Sequence, residues 1–236
     1  CFQQKAGPAD TVILALGARP NTLDPRFATD ANAMRLTSLI FQSLVGLGPD
    51  LTIIGDAAES WTFHHEKNLY EFKLRPRLKF HDGTPIQPED ILASFAEYQK
   101  KENPFSGTLQ VVDKVEAAYD QDRLIVRLSL KKFRATFLTD LTPIKILPKH
   151  LLEKKDFDLK EQPVGSWPYK FVFQKPNEIL LTRNEQHEPM AQTKNASFRI
   201  VRDDNTRFLK ILNDEIDIIQ GDLPPEKVRY LVKKKN

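Results

Sequence analysis

The segment Tyr70–Asp90, YEFKLRPRLKFHDGTPIQPED, constrains the fold more than any other part of the chain. Tyr70, Phe72 and Leu74 alternate with Glu71, Lys73 and Arg75, the period of two expected of a half-buried strand. A second apolar pair, Leu78 and Phe80, follows. His81-Asp82-Gly83-Thr84-Pro85 is turn chemistry, with Gly83 free to take positive φ and Pro85 fixing its own. Pro88 then stands at a first helical position, with Glu89 and Asp90 in the first turn where the helix dipole favours negative charge. Ile91, Phe95 and Tyr98 at helical spacing provide the face that packs back. Strand, tight turn and capped helix form one closed unit.

Elsewhere the patterning predicts a strand over Thr11–Leu16, an irregular stretch over Gly17–Pro25, and a helix from a cap at Asp30 to Leu44. Gly46–Asp50 reads as a turn cluster and Leu51–Ile54 as a strand. Trp61–His64 and Leu69–Leu74 flank Glu66-Lys67-Asn68 as a hairpin. Val112–Tyr119 and Arg123–Leu130 make a second hairpin about Asp120-Gln121-Asp122, with Leu124, Val126, Leu128 and Leu130 alternating with Arg123, Ile125, Arg127 and Ser129. Ala135–Leu141 and Pro148–Lys154 read as short helices. Tyr169–Phe173 and Glu178–Thr182 form a hairpin about Pro176-Asn177. A strand (Ser197–Val201), a helix (Asn205–Leu212), a strand (Ile216–Ile219) and a helix from Pro225 complete the chain. Both element types are mixed without regular βαβ alternation, so the fold class is mixed α/β, of the α+β kind.

The 236 residues suffice for a sizeable core in one or two domains. A formal net charge of +3, with acids and bases interspersed, offers no concentrated basic face for nucleic acid. No apolar stretch approaches the roughly 20 residues of a membrane span. Cys1 is the only cysteine, which excludes an internal disulfide and a zinc–cysteine cluster. No metal or cofactor is expected. The five histidines show no HExxH spacing, and His64 and His65 would point to opposite faces of a strand. G-x-S-x-G, G-x-G-x-x-G and Walker patterns are absent from a chain with only nine glycines. His81 and Asp82 could be mistaken for an acid/base pair, but the local chemistry favours a turn in which Asp82 accepts from nearby amides.

The run YxFxLRxxxKFHDGTPxxxED resembles the signature of family 5 extracellular solute-binding proteins, the dipeptide-, oligopeptide- and nickel-binding subunits of ABC importers. Asn21-Thr22-Leu23-Asp24-Pro25 is similar to that family's "TLDP" element, and Gly55–Trp61 to its "P-x-LAESW" step. Val164–Phe171 is similar to "VGTGPYKF", and Phe208–Asp217 to the helix that leads into "GEIDI". Two departures stand out. Trp167 replaces a glycine, so an indole must be accommodated at the surface or alter hinge-side packing. Gln42-Ser43-Leu44 stands where an acidic residue, glycine and leucine are common.

The resemblance implies a periplasmic-binding-protein type II-like first lobe carrying a β-rich inserted subdomain. Residues 1–10 would be a lipoprotein tether, 11–45 with 165–236 the core α/β subdomain, and 46–164 the insert. Family members are about twice as long and close two lobes over the ligand; by that comparison lobe II is absent. Cys1 followed by a polar tether looks like a mature lipoprotein, whose acyl chains each add about 0.8 kcal/mol per buried CH₂. The implied function is non-catalytic capture of a peptide or other small solute for an ABC importer permease. Its place would be the periplasmic or extracytoplasmic face of the bacterial cell membrane, reached through the lipid anchor only. The implied first-lobe ligand wall comprises Arg19, Pro20 and Asn21, then Phe105, then Gln220 and Gly221, with Arg19 offering a guanidinium to a ligand carboxylate. With one wall alone the chain should bind peptide weakly or not at all. The alternative is a truncated relative that acts as a surface interaction or structural lipoprotein without solute binding.

Overall fold

The computed structural model describes residues 10–220 and 223–235. In chain order the elements begin with β1 (Thr11–Leu16), α1 (Ala31–Ile40), β2 (Val45–Leu47), β3 (Ile53–Gly55), β4 (Ala58–His64) and β5 (Leu69–Leu74). Then come α2 (Pro88–Gln99), α3 (Ser106–Leu109), β6 (Val112–Asp120), β7 (Arg123–Leu130), α4 (Phe137–Asp140) and α5 (Lys149–Leu152). The last are β8 (Tyr169–Lys175), β9 (Glu178–Arg183), β10 (Asn195–Ile200), α6 (Asp204–Leu212), β11 (Ile218–Ile219) and α7 (Pro225–Lys235). The chain is mixed α/β, and its contacts divide it into residues 1–20 with 168–236 and residues 21–167.

The first unit is a five-stranded mixed sheet in the order β11-β1-β10-β9-β8. β1 runs parallel to both β10 and β11, while β9 pairs antiparallel with β10 and with β8. β1 is paired along both edges, and its apolar run TVILAL buries Thr11, Ile13 and Ala15 on one face while Val12 and Leu14 on the other are half-buried. Helix α6 carries the chain from β10 across β1 to β11. Its N-cap Asp203 accepts from the Thr206 amide at 2.7 Å, and Ile13, Ala15 and Ile216 form the core against Ile211. The strand expected from Ile216 is paired only at Ile218–Ile219, although Ile216 itself is buried.

The second unit is built on a four-stranded antiparallel sheet, β4-β5-β7-β6, with the separate hairpin β2-β3. The alternation in β5 does what its pattern requires: Tyr70, Phe72 and Leu74 are buried and pack with Val126 and Leu128 of β7. Tyr70 lies 4.4 Å from the Phe63 ring and 5.3 Å from Phe137. Pro88 opens α2, and Asp90 accepts from the Gln87 amide at 2.8 Å. Ile91, Phe95 and Tyr98 are the buried stripe of α2. Ile125 departs from its expected exposed position; it is buried on the opposite face of the sheet, beside Trp61 and Lys73.

Two elements differ from the sequence reading. Asp30 caps α1 by accepting from the amides of Asn32 and Ala33, but the helix stops at Ile40 and not at Leu44. Phe41 turns extended because residues 41–44 are drawn alongside residues 143–146, with Ser43 bridged to Lys145 and the Ile146 amide donating to Gln42 O at 2.8 Å. The expected turn cluster Gly46–Asp50 contains the end of β2, which pairs with β3 around a tight connection where Gly48 N donates to Thr52 O at 2.8 Å. The expected boundaries at 45/46 and 164/165 differ from the observed division at 20/21 and 167/168, because α1 is bonded into the second unit. Trp167 N donates to Ile40 O at 3.0 Å, and Asp56 N to Leu44 O at 3.2 Å.

Candidate functional site

The crossing of residues 41–44 with residues 143–146 places polar groups inside the second unit. Leu147 N donates to Ser94 Oγ at 2.8 Å and Lys149 N to Asp90 Oδ1 at 2.9 Å, so α2 holds the 143–149 segment in register. Beyond β3, Asp56 turns inward. Its carboxylate accepts from Ser43 N at 2.8 Å, from Ser43 Oγ at 3.1 Å and from Gln42 Nε2 at 3.3 Å. Lys145 Nζ donates to Ser43 Oγ at 3.2 Å, so one hydroxyl links the acid to the base.

Asp56 and Lys145 are each only 8% exposed. Burial raises the Asp56 carboxyl pKa, against the Lys145 charge and the donors from Ser43 and Gln42, which work to lower it. Burial likewise lowers the Lys145 ammonium pKa, opposed by Asp56. Both shifts favour the neutral forms, as expected where desolvation outweighs attraction. The two groups are not equally served. The carboxylate has three protein donors, whereas the ammonium, with three protons to give, has Ser43 as its one hydrogen-bond acceptor and forms no salt bridge among the described residues.

Ser43, Asp56 and Lys145 line a cavity of about 500 Å³, within the range of small-ligand sites. Its walls include Met34 and Arg35 of α1, Leu47 of β2, Ile54 of β3, Phe105 and Trp167. Met34, Leu47 and Ile54 are 44%, 48% and 46% exposed, a cluster of large apolar side chains left open to solvent beside a buried polar floor. The Arg35 guanidinium makes one hydrogen bond, to Asn32 Oδ1 at 3.3 Å, and no ion pair among the described residues. Trp167 does not need the glycine-like conformation its position suggested: its φ is not positive, and its half-buried indole lines the cavity. The neighbouring Gly165 is the position that admits no side chain, since a Cβ there would meet Ile40 O at 2.0 Å.

The sequence-derived candidates fall in both units. Arg19, Pro20 and Gln220 belong to the first. Arg19 Nη1 donates to Lys175 O at 2.8 Å and Pro176 O at 3.3 Å, and Nη2 to Gln174 Oε1 at 3.0 Å, so the guanidinium holds the β8–β9 turn. Gln220 N donates to Ala15 O at 3.5 Å, so Arg19 and Gln220 follow the carboxyl ends of the adjacent parallel strands β1 and β11, the sheet end where open α/β sheets bind ligands. Asn21 and Phe105 belong to the second unit. Asn21 is folded onto its own loop, its amide nitrogen donating to Asp30 Oδ2 at 2.7 Å and its side chain to Phe27 O at 3.0 Å. Phe105 reaches the cavity wall, 6.0 Å from the Tyr98 ring. Cys1 and Gly221 lie outside the described residues.

The His81–Asp82 corner is turn chemistry. Thr84 donates to Asp82 Oδ1 from its amide at 3.0 Å and from its hydroxyl at 2.7 Å, and His150 Nε2 reaches Asp82 Oδ2 at 2.7 Å. Gly165 N donates to His81 Nδ1 at 3.2 Å while His81 Nε2 donates to Trp167 O at 2.9 Å, so both ring nitrogens clasp the 165–167 backbone. Asp56, Ser43 and Lys145 were not singled out from the sequence as site residues. The signal for Lys145 is a single charge within the apolar run Ile144–Leu147, a pattern that marks a buried ion. Among the described residues, no three histidine, cysteine or carboxylate side chains stand together as metal ligands, and no helix is long and apolar enough to cross a membrane.

The model of the bacterial extracellular solute-binding proteins, family 5 Middle, matches residues 52–236. A glutathione-binding protein of Pectobacterium atrosepticum is 24% identical over 233 residues, covering 95% of this chain and 44% of its own length. A probable D,D-dipeptide-binding periplasmic protein of Escherichia coli is 27% identical over 241 residues, covering 96% of this chain and 46% of its own. Among solved structures, the binding protein MoaA of A. tumefaciens with mannopinic acid superposes with a TM-score of 0.85 at 26% identity, over 95% of this chain and 48% of that one. The DppA protein of Helicobacter pylori with the peptide STSA gives 0.81 at 25% identity, over 94% and 48%. The chain thus spans about half the length of the relatives it matches.

Proposed function

The chain belongs to the bacterial extracellular solute-binding proteins of family 5, and we propose on that premise that it forms one wall of a peptide-capturing cleft serving an ABC importer. Members of this family are transport binding proteins and not enzymes. The observation that carries the reading for this chain is the cavity of the second unit, where exposed Met34, Leu47 and Ile54 stand beside an incompletely served Lys145. An apolar pocket with a few convergent polar groups is the form of a solute site. A D,D-dipeptide-binding protein and a peptide complex among the similar proteins support a peptide as solute.

In this reading the two units are the core and inserted subdomains of a first lobe, held outside the cytoplasmic membrane through a lipid on Cys1. Phe105 lines the cavity of the second unit; Arg19, Pro20, Asn21, Gln220 and Gly221 are carried as ligand contacts on the family resemblance alone. The rival, a surface interaction protein without solute, calls for a polar exposed face. Leu209 of α6 and Val228, Tyr230 and Val232 of α7 are all exposed, which favours a module that works with further apolar surface.

Trp167 lines the cavity and Trp61 is the other tryptophan of the chain, so a Trp61→Phe variant reports from the cavity alone. Titration with mixed di- to pentapeptides should shift its emission with a millimolar dissociation constant, the weakness expected of a single wall. Unchanged emission at saturating peptide would reject peptide as the solute. Saturation in the micromolar range would reject the single-wall reading.

A further inference from the structure

We propose that the cavity of the second unit is an acid-selective site, in which Lys145 at the floor and Arg35 on the wall receive the carboxylate of a solute whose body is apolar. The inference rests on the solute-binding reading and names the chemistry that this one site would recognise. Its basis is an imbalance between the two buried charges. Asp56 accepts three hydrogen bonds from Ser43 and Gln42, so its acceptor capacity toward a ligand is largely committed. Lys145 donates one hydrogen bond, to the hydroxyl that also serves Asp56, and forms no salt bridge among the described residues. A buried ammonium with unused protons is costly unless something arrives to accept them.

Charge points the same way. Of the three ionisable side chains that line the cavity, Arg35 and Lys145 are cationic and only Asp56 is acidic. A cationic ligand would meet two like charges and a carboxylate that already accepts three hydrogen bonds of the about four it can take. An anionic one would meet two donors with spare capacity, and burial strengthens a charge-assisted hydrogen bond. The remaining lining is mostly apolar, with Met34, Leu47, Ile54, Phe105 and Trp167 its largest side chains beside the hydroxyls of Thr37, Ser38 and Thr142, which suits a largely apolar body attached to that carboxylate. An acyl amino acid, or the C-terminal residue of a peptide with a large apolar side chain, has both parts.

Ser43 and Lys145, at 3.2 Å, also have the spacing of a nucleophile and its base. Ser43 is fully buried and gives its hydroxyl proton to Asp56 Oδ2, which directs the oxygen away from attack and leaves recognition as the role of the group.

The test uses the whole chain in the Trp61→Phe background and two probes of nearly the same shape, N-acetyl-leucine and N-acetyl-leucinamide. The acid should bind at least about tenfold more tightly than the amide, as one charge-assisted hydrogen bond allows. Lys145→Met should abolish the preference, and Arg35→Ala on the exposed wall should reduce it. Circular dichroism establishes that each variant is folded; the acid–amide comparison on the parent chain needs no variant. Equal binding of both probes, or a preference that survives Lys145→Met, overturns the inference. So does the absence of any response to either probe. A mixed-peptide response without acid preference would leave the solute reading standing and reject only this step, whereas acid preference without a peptide response would do the reverse.

Discussion

At the scale of single residues, Asp82 shows how a candidate reactive group is consumed by the scaffold. Burial works to raise its pKa, but the Thr84 hydroxyl and amide and the His150 ring outweigh it and hold the carboxyl below its ordinary value of 3.8. A depressed folded value means that the stabilisation is complete above the ordinary pKa and is lost as the pH falls through the depressed one. Asp82→Asn should therefore lose about 1 kcal/mol at neutral pH, a modest figure because the group is partly exposed. In urea unfolding, its difference from the parent should close as the pH is taken below 3.8; a difference that stays flat with pH would contradict the assignment. His81→Ala, which removes the clasp on Gly165 and Trp167, should destabilise by about 1–2 kcal/mol without changing peptide affinity beyond that loss. The turn itself was legible in His81–Pro85, because Asx-turn chemistry is local. Its His150 partner, 68 residues away, was not. The partners of Arg19 were hidden for the same reason: the carbonyls that accept from it lie 156 and 157 residues along the chain.

At the scale of elements, the strands with sustained alternation, β5 and β7, could be read directly from a period of two over six to eight residues, Ile125 on the second face of β7 being the exception. Helical spacing carries α1 four residues beyond its end at Ile40. Met34, Leu36, Leu39, Ile40 and Leu44 satisfy helical spacing, but pairing of residues 41–44 with residues 143–146 overrides propensity. The three-residue strands β2 and β3 are too short to show a period, and Gly46, Gly48 and Pro49 read as punctuation. This misread segment is where the cavity forms, so the site was hidden together with the strands that build it. The close approach beneath it gives a sharp test. Gly165→Ala would push a Cβ into Ile40 O at 2.0 Å, and should cost about 2 kcal/mol or more in urea unfolding. Gly107→Ala, within α3 and with nothing within 4 Å of its added Cβ, should be neutral or slightly stabilising. Equal effects at the two positions would mean that the 165–167 segment does not pack on the end of α1.

At the scale of the whole molecule, two compact units are carried by a chain that covers 44% and 46% of the lengths of two similar curated proteins. Family and architecture were legible because their carriers, the strand-turn-helix corner and the "LDP", "AESW" and "GEIDI"-like steps, are scaffold and lie at fixed intervals. The cavity was less so, since the residues that line it come from six separated segments and share no local pattern. The account stands or falls on whether this cavity takes a solute. The direct measurement is an amide NMR titration of the chain with leucyl-leucine. The account predicts millimolar, saturable shifts centred on Ser43, Asp56, Lys145 and Trp167, with β4–β7 unmoved. Shifts that saturate elsewhere while these four stay still would contradict it.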